Sequence, residues 1–551
     1  MSAEAVIIDG YVDEPACLGV PPYLSPYIRT VAGVLIEHGF RPRYLTIDQL
    51  RKNPSALLTI SRDAVVMMIA GMTVPGKYLG GTPATLTEIR QIGVQLRNKT
   101  RLIGGPIGFG YSPRGGKPAI KSAISGFDHL LSGSPAEALD AYLNEGKTSG
   151  TLNYRHADRW SVLGAPIIRE HPSYPYLMCE LETARGCSRV SSGGCSFCTE
   201  PLYGPPVYRS SQGIGEEVEA LYREGARHFR LGRQPDILTY AADGGEFPAP
   251  LPDKVRDLFV SVRRAAPDLK TLHIDNVNPG TIARHPGPSR EALEEIIRYH
   301  TPGDVAAFGM ETADPVVVEA NNLKAGSDDV MKAIEIVNQV GAARRMGIPE
   351  LLPGLNFIIG LAGQTEETFL MNRHFLDRVL SSGLLVRRVN IRQLMPFEGT
   401  RAFTENTLGK HRQAYRAFKE YTRHHFDLPM LKEVFPVGTV LKDVIIEQEG
   451  DLSLGRQMGS YPILVGIPIP QRLRTCLDVV IVDHGMRSVT ALPIPVEVNL
   501  LQASTLRWIP GVGKNIAGEI SARKPLSGID EFRSIAGKTV IDQYLEFSHL
   551  L

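Results

Sequence analysis

Along the first 150 residues, short apolar runs take turns with stretches of helical spacing. AVIID (5–9), the amphipathic segment from Val31 to His38, AVVMMIA (64–70) and RLIGG (101–105) predict βαβ units on a parallel sheet. A Pro- and Tyr-bearing stretch, GAPIIREHPSYPY (164–176), predicts a link between domains. A second series then begins, with apolar runs LMCELETA (177–184), HFRLG (228–232), TLHIDNV (271–277), DVAAFGMET (304–312), NFIIGL (356–361) and VRRVNIRQL (386–394). Between them EEVEALYREG, REALEEIIRYH and DDVMKAIEIVNQVG carry helical periodicity. Six strand-and-helix repeats predict an open, partial parallel barrel, and in such barrels functional residues gather at the carboxyl ends of the strands.

After residue 430 the pattern changes to short apolar strands with Gly and Pro turns, TVLKDVIIEQ, YPILVGIPIP, CLDVVIVD and SVTALPIPVEV, which predicts a small antiparallel barrel. The last fifty residues return to helix. The expected division is 1–150 for a Rossmann-like domain, 151–175 for a linker, 176–426 for the partial barrel with a basic C-terminal helix, 427–500 for the small β-barrel and 501–551 for a helical tail. A chain of 551 residues exceeds one compact core. With 43% apolar and 22% charged residues it is neither disordered nor collagen-like. A net charge of +1 gives no global attraction to nucleic acid or anionic lipid, so such binding needs a local patch. No apolar run long enough to span a bilayer occurs, and the opening MSAEAVIIDGYVDEP has no basic n-region. The expectation is a cytoplasmic protein with no membrane partner.

Six cysteines are too sparse for a disulfide scaffold. Cys187, Cys195 and Cys198 nevertheless cluster in ETARGCSRVSSGGCSFCTEP, just after the first strand of the second series. Thiolates select soft metals. A structural zinc site wants a fourth ligand, and none is near in sequence. Three cysteines therefore leave an open zinc position or a [4Fe-4S] cluster with one iron free to bind a cofactor.

This cysteine loop resembles that of the radical S-adenosylmethionine (SAM) superfamily, with Phe197 at the aromatic position before the last cysteine and seven residues, in place of three, in the first gap. Three further segments resemble the family in order: GMETADPVVVEANNLKAG at the fourth strand, GLNFIIGLAGQTEETF at the fifth, with Gln364 for the usual Glu, and VNIRQLMPFEGT at the sixth. The resemblance covers about residues 176 to 400. It implies an α/β fold with a partial (βα)6 radical SAM barrel, a [4Fe-4S] cluster on Cys187, Cys195 and Cys198, and SAM bound near Phe197, Glu311, Thr312, Lys324 and Gly360. It also implies an electron donor such as ferredoxin or flavodoxin.

The N-terminal domain resembles the cobalamin-binding domains that precede many such barrels, through its opening strand, EHGF (37–40) and the Gly-Gly-Pro strand end at 104–106. It lacks Asp-x-His-x-x-Gly, and its histidines, His38 and His129, fall in helical patterns, so cobalamin is a possible cofactor without a ligand motif. Methylthiotransferases carry three cysteines here, whereas this domain has Cys17 alone. The small barrel resembles the RNA-binding TRAM domain, although six basic side chains between 430 and 500 face eight acidic ones. LRWIPGVGKNIAGEISARK (506–524) resembles a helix-hairpin-helix motif in which the turn Gly511, Val512, Gly513 and Lys514 presents bare N–H groups to a phosphate. In GKHRQAYRAFKEYTRHH, Arg412, Arg416, Lys419 and Arg423 share one helix face, a solvated stripe or a guide for RNA.

The expected function is a radical SAM enzyme that modifies a nucleic acid, RNA in preference to DNA. One alternative is a radical SAM enzyme, with or without cobalamin, acting on a small molecule or a protein. The other is a non-catalytic nucleic-acid-binding protein with a structural metal.

Overall fold

The computed structural model describes residues 3–14, 17–71, 81–96, 99–112, 114–121, 124–345 and 347–548, and the side chain of Cys17 lies outside what it describes. The first unit is a parallel sheet of β1 (Glu4–Asp9), β2 (Arg41–Thr46), β3 (Val65–Ile69), β4 (Thr100–Gly104) and β5 (His129–Leu130), in the order β2-β1-β3-β4-β5. Helices on both faces bury it, so its strands read as continuous apolar runs. Ser25 in extended conformation and Pro26 at the first helical position start the helix Pro26–Glu37, whose Ile28, Val31, Ala32, Val34 and Leu35 are buried. His129 opens β5 and does not sit in a helix as its spacing predicted.

Residues 151–175 are not a linker. Tyr154–Leu163 is a helix that buries Trp160, and Ala165–Glu170 is a 3-10 turn. Only Ala157, Trp160 and Ser161 of that helix are buried, too short an apolar stripe to read as periodicity.

The second unit has six parallel strands in sequential order: β6 (Met178–Glu182), β7 (His228–Gly232), β8 (Thr271–Ile274, continued by Asn276–Val277), β9 (Asp304–Glu311), β10 (Leu351–Ile359) and β11 (Arg388–Gln393). Among the described residues β11 has no strand beyond it, while Tyr23–Leu24 lies outside β6, so the barrel is open. Alternation puts Phe229 and Leu231 of β7 among the buried apolar residues and turns Arg230 inward, onto both oxygens of Glu180 at 2.8 and 2.9 Å and against Asp275.

The third unit is a closed barrel of β12 (Val440–Gln448), β13 (Ser453–Gln457), β14 (Leu464–Ile467), β15 (Cys476–His484) and β16 (Ser488–Pro493). Its strand order β12-β13-β14-β16-β15, with β14 and β16 parallel, is that of the OB-fold. The β13–β14 loop is not free. Met458 accepts from Thr271, the Ser460 N–H donates to His273 at 2.8 Å, and the Tyr461 hydroxyl donates to Asp275 at 3.1 Å, so the loop rises along the inner side of β8. It forms a floor to the barrel.

The tail is not a separate domain either. Leu506, Ile509, Val512, Ala517 and Ile520 share one buried cluster with Val480 and Val482 of β15 and Leu492 of β16. Val496–Glu497 also pairs with Leu545–Glu546, so the boundary at 500 cuts through a core. Among the described residues no helix is long and apolar enough to cross a membrane.

Candidate functional site

Cys187, Cys195 and Cys198 lie on the loop after β6, at the carboxyl end of the barrel, with Cys187 and Cys195 buried and Cys198 half-buried. The long first gap forms a 3-10 turn, Val190–Ser192, closed by the Gly194 N–H donating to the Arg189 carbonyl at 2.9 Å. Two asparagines that follow the short helix Pro315–Ala320 hold the loop from the β9 side. Asn321 accepts from Ser196 at 2.7 Å. Asn322 donates to the carbonyls of Ser192 and Gly194 at 3.2 and 2.9 Å and accepts from Arg189 at 2.6 Å. Asn322 has φ of 47°, a left-handed conformation that asparagine tolerates better than most residues. Sequence reasoning passed over this pair, and the Asn-Asn dipeptide was its signal.

Arg189 is buried beside the sulfurs, its backbone N–H 3.4 Å from Cys187 Sγ and its guanidinium 3.5 Å from Cys195 Sγ. Burial pushes the Cys195 thiol up, while Lys324 and Arg189 pull it down. Burial, with Glu200 beside it, also raises Cys198. Burial opposes the charge on Lys324, yet the three thiols and Asp236 hold its ammonium above the usual range. The loop thus concentrates soft ligands against two cations, which offset part of the burial that holds the thiols protonated. Among the described residues no group of His, Cys, Asp or Glu is placed to hold a single metal ion. A cuboidal cluster makes a different demand, because each thiolate binds its own iron. The donor set of three thiols and nearby N–H donors fits such a cluster.

Beside Cys187 a cleft of about 520 Å³ opens at the ends of β6, β7 and β8, lined in part by Gln234, Asp236, Asn278 and Lys324. Burial pushes the Asp236 carboxyl up to about 6, and one of its oxygens has no hydrogen-bond partner in the chain. Glu311 ends β9 at a bulge with φ of 64°. Its Oε2 is buried and unpartnered, and burial raises the carboxyl to about 8 against the pull of Lys324 and Arg392. Backbone in that region costs about 1–3 kcal/mol and persists where surrounding structure enforces it.

The structure therefore brings together the three cysteines, Lys324 and Glu311. Phe197 packs with Cys195, Leu361 and Leu394. Thr312 and Gly360 lie nearby with their polar groups committed. The Thr312 hydroxyl meets Asn372 and the Asp314 N–H. Gly360 has φ of 108°, donates to Gln364 Oε1 at 2.6 Å and accepts from the Thr407 N–H at 2.9 Å. Gln364 takes the turn's N–H itself and donates to the Ile358 carbonyl at 2.8 Å.

The basic stripe is only partly continuous. Arg412 and Arg416 are exposed, and Lys419 lies 5.7 Å from the Tyr415 ring centre. From Thr422 the helix turns to π geometry, which breaks the spacing that aligned Arg423 with the others. Arg412 lines a cleft with Gly360, Gln364 and Gln393, at the barrel mouth. In the tail Gly511 and Gly513 are exposed, with no atom within 4 Å of a Cβ built on either. Val512 is buried, and Lys514 opens the helix Lys514–Arg523 and is exposed.

Residues 181–376 match the family model described as the Radical SAM superfamily. A protein of Archaeoglobus fulgidus described as uncharacterized is 40% identical over 541 residues, 98% of this chain and 98% of its own length. Ribosomal protein uS12 methylthiotransferase RimO of Thermotoga petrophila is 25% identical over 309 residues, 54% of this chain and 64% of that protein. Among solved structures, the radical S-adenosylmethionine methyltransferase TsrM from Kitasatospora setae is similar over 73% of this chain and 75% of its own, with 14% identity and a TM-score of 0.49.

Proposed function

We propose, from the premise that the chain belongs to the radical SAM superfamily of enzymes, that it cleaves SAM reductively and uses the product to modify a structured RNA. Cys187, Cys195 and Cys198 would hold a [4Fe-4S] cluster, and Phe197, Glu311 and Lys324 would surround SAM. When bound, cluster and SAM would supply one-electron reductive chemistry for the reaction. The chain's own residues do the rest. Arg189 donates toward two sulfurs, and Lys324 keeps a cation at the mouth where a carboxylate binds. Glu311, protonated near neutral pH, can donate a hydrogen bond to a hydroxyl. The floor of Tyr461, Arg230 and Asp275 closes the barrel from below and keeps bulk water from the reacting face.

The observation that carries the catalytic reading is the three-thiol loop at the end of β6 with Lys324 and Glu311 beside it. The RNA reading is supported by the OB-type barrel and by the exposed glycines of the tail hairpin. A protein substrate is the second reading, favoured by the printed name of RimO, a ribosomal protein methylthiotransferase. Formation of 5'-deoxyadenosine under reductant, measured with total RNA or with ribosomal protein as substrate and followed by mass spectrometry of each, separates them. Modified nucleosides support the first reading, and a modified protein with unmodified RNA refutes it.

A further inference from the structure

At the base of the molecule, far from the cysteine loop along the barrel, a cavity of about 580 Å³ lies where the start of β11 meets the β13–β14 and β15–β16 loops of the small barrel. Its charged lining is Arg387, Arg388, Arg487 and Asp427. Each arginine is held without using all of its donors. Arg387 stacks on Phe435 at 4.6 Å and donates to the Tyr461 carbonyl at 3.3 Å, leaving its Nε buried with no partner in the chain. Arg388 lies 3.4 Å from the Tyr461 ring centre, and its Nη2 is likewise buried and unpartnered. Arg487 donates to the Val389 carbonyl at 3.1 Å and pairs with Asp427 at 3.5 Å.

Three guanidiniums against one carboxylate leave the lining two positive charges in excess. Burying charge without a partner is costly, and unmade hydrogen bonds of a charged group add to that cost. Burial, with each arginine beside the other or beside Arg392, pushes Arg387 to about 9 and Arg388 to about 10. Guanidinium does not give up its proton at neutral pH, so the lining calls for an anion instead. Nothing in the radical chemistry uses these residues, since β11 begins at the end of the barrel opposite its mouth.

We propose that this cavity is a binding site for a phosphate monoester dianion, whose charge balances the lining and whose oxygens suit the planar forks of arginine. The site is assembled from two units, β11 on one side and the small barrel's loops on the other, so its ligand also ties those units together. It does not rest on the RNA reading. A monoester is offered by a small phosphorylated metabolite or by the 5' end of an RNA, and the experiment distinguishes them.

The test uses the full chain loaded with iron. Thermal unfolding in inorganic phosphate is compared with chloride at equal ionic strength, and phosphate affinity is measured by calorimetry for wild type and for R387Q/R388Q. Phosphate should raise the wild-type melting temperature beyond chloride, and the double variant should bind it at least tenfold more weakly. Without phosphate the double variant should melt no lower than wild type, because two undercompensated buried charges are gone. Should the variant not fold, phosphate protection of Arg387, Arg388 and Arg487 from phenylglyoxal in the wild type, read by peptide mass spectrometry, gives the same answer. Displacement of phosphate by 5'-phosphorylated RNA but not by 5'-hydroxyl RNA supports the site with a polynucleotide end as its ligand, and displacement by adenosine monophosphate alone supports it with a metabolite. Equal stabilisation by phosphate and chloride, absence of protection, or equal displacement by 5'-hydroxyl RNA overturns the proposal.

Discussion

Replacing Asn322 tests whether the long cysteine loop is held from outside itself. In N322A two amide bonds to the Ser192 and Gly194 carbonyls are lost, together with the acceptor for the Arg189 guanidinium. Neutral bonds are worth about 1 kcal/mol each and a charge-assisted bond about 2 kcal/mol, which partial solvent access lowers to about 3 kcal/mol in all. Alanine at a φ of 47° adds about 1 kcal/mol of left-handed strain. The total of about 4 kcal/mol acts on loop opening and leaves global unfolding alone, because Asn322 is not part of a helix or strand. The expected result, for protein reconstituted anaerobically, is iron loss to a chelator at least a hundredfold faster than wild type at an unchanged melting temperature. N322G removes the same bonds without the strain, and a difference of about 1 kcal/mol predicts loss about fivefold slower than in N322A. Wild-type rates in both variants, or faster loss in N322G than in N322A, would refute the clamp.

Four further outcomes follow from the same structure. Wild-type protein should hold about four irons, and C187A, C195A and C198A should each lose most of them; zinc alone after anaerobic purification, or eight irons per chain, contradicts a single [4Fe-4S] cluster. Asp9 is buried, accepts from Tyr11 N–H and Tyr44 hydroxyl, and is raised from an ordinary 3.8 to about 7; the folded state then binds the extra proton, so its stability contribution is present below pH 4 and lost as pH rises through 7. D9N should accordingly gain on the order of 4 kcal/mol over wild type at pH 8 and little at pH 4 in chemical unfolding. Gly513 has φ of −77° and open space around it, so G513V should keep the wild-type melting temperature while weakening RNA affinity several-fold by anisotropy; equal affinity removes the hairpin from the binding surface. A chain ending at residue 500 should melt lower or aggregate, since it bares Val480, Val482 and Leu492; an unchanged melting temperature refutes the shared core.

What was legible in the sequence is what local pattern encodes. HFRLG falls on β7 from end to end, and the six apolar runs each carry a barrel strand, because apolar residues such as Phe229 and Leu231 recur along each strand even where the alternate residues, such as Arg230, are charged. The cysteine loop was legible because three thiols crowded into one short segment of a cysteine-poor chain are the signature of a soft-metal site. Residues set by distant partners were not. Thr312 lies where a cofactor contact was expected, yet its hydroxyl is taken by Asn372, sixty positions away. Arg423 leaves the basic face because a π turn begins at Thr422, and no local residue announces that turn. The helix Tyr154–Leu163 was hidden in the expected linker of 151–175 because its buried face is only three residues wide.

The largest departure concerns how the units are joined, and it bears on how a polynucleotide substrate would be read. Modules on flexible linkers search for the active site, and their advantage depends on linker length. Here the β13–β14 loop is bonded into the barrel by Ser460 and Tyr461, and the tail shares a core with β15 and β16. The hairpin turn at Gly511 therefore stands at a fixed separation from the cysteine loop. A substrate touching both must present its reactive position at that same separation, which a folded RNA can do and a short unstructured strand cannot. Shape would then, under the RNA reading, select the substrate before chemistry begins. Under the RNA reading, shortening the substrate past the span between hairpin and mouth should raise KM and leave kcat unchanged, because the lost contacts are remote from the reacting atoms and equal in ground and transition states.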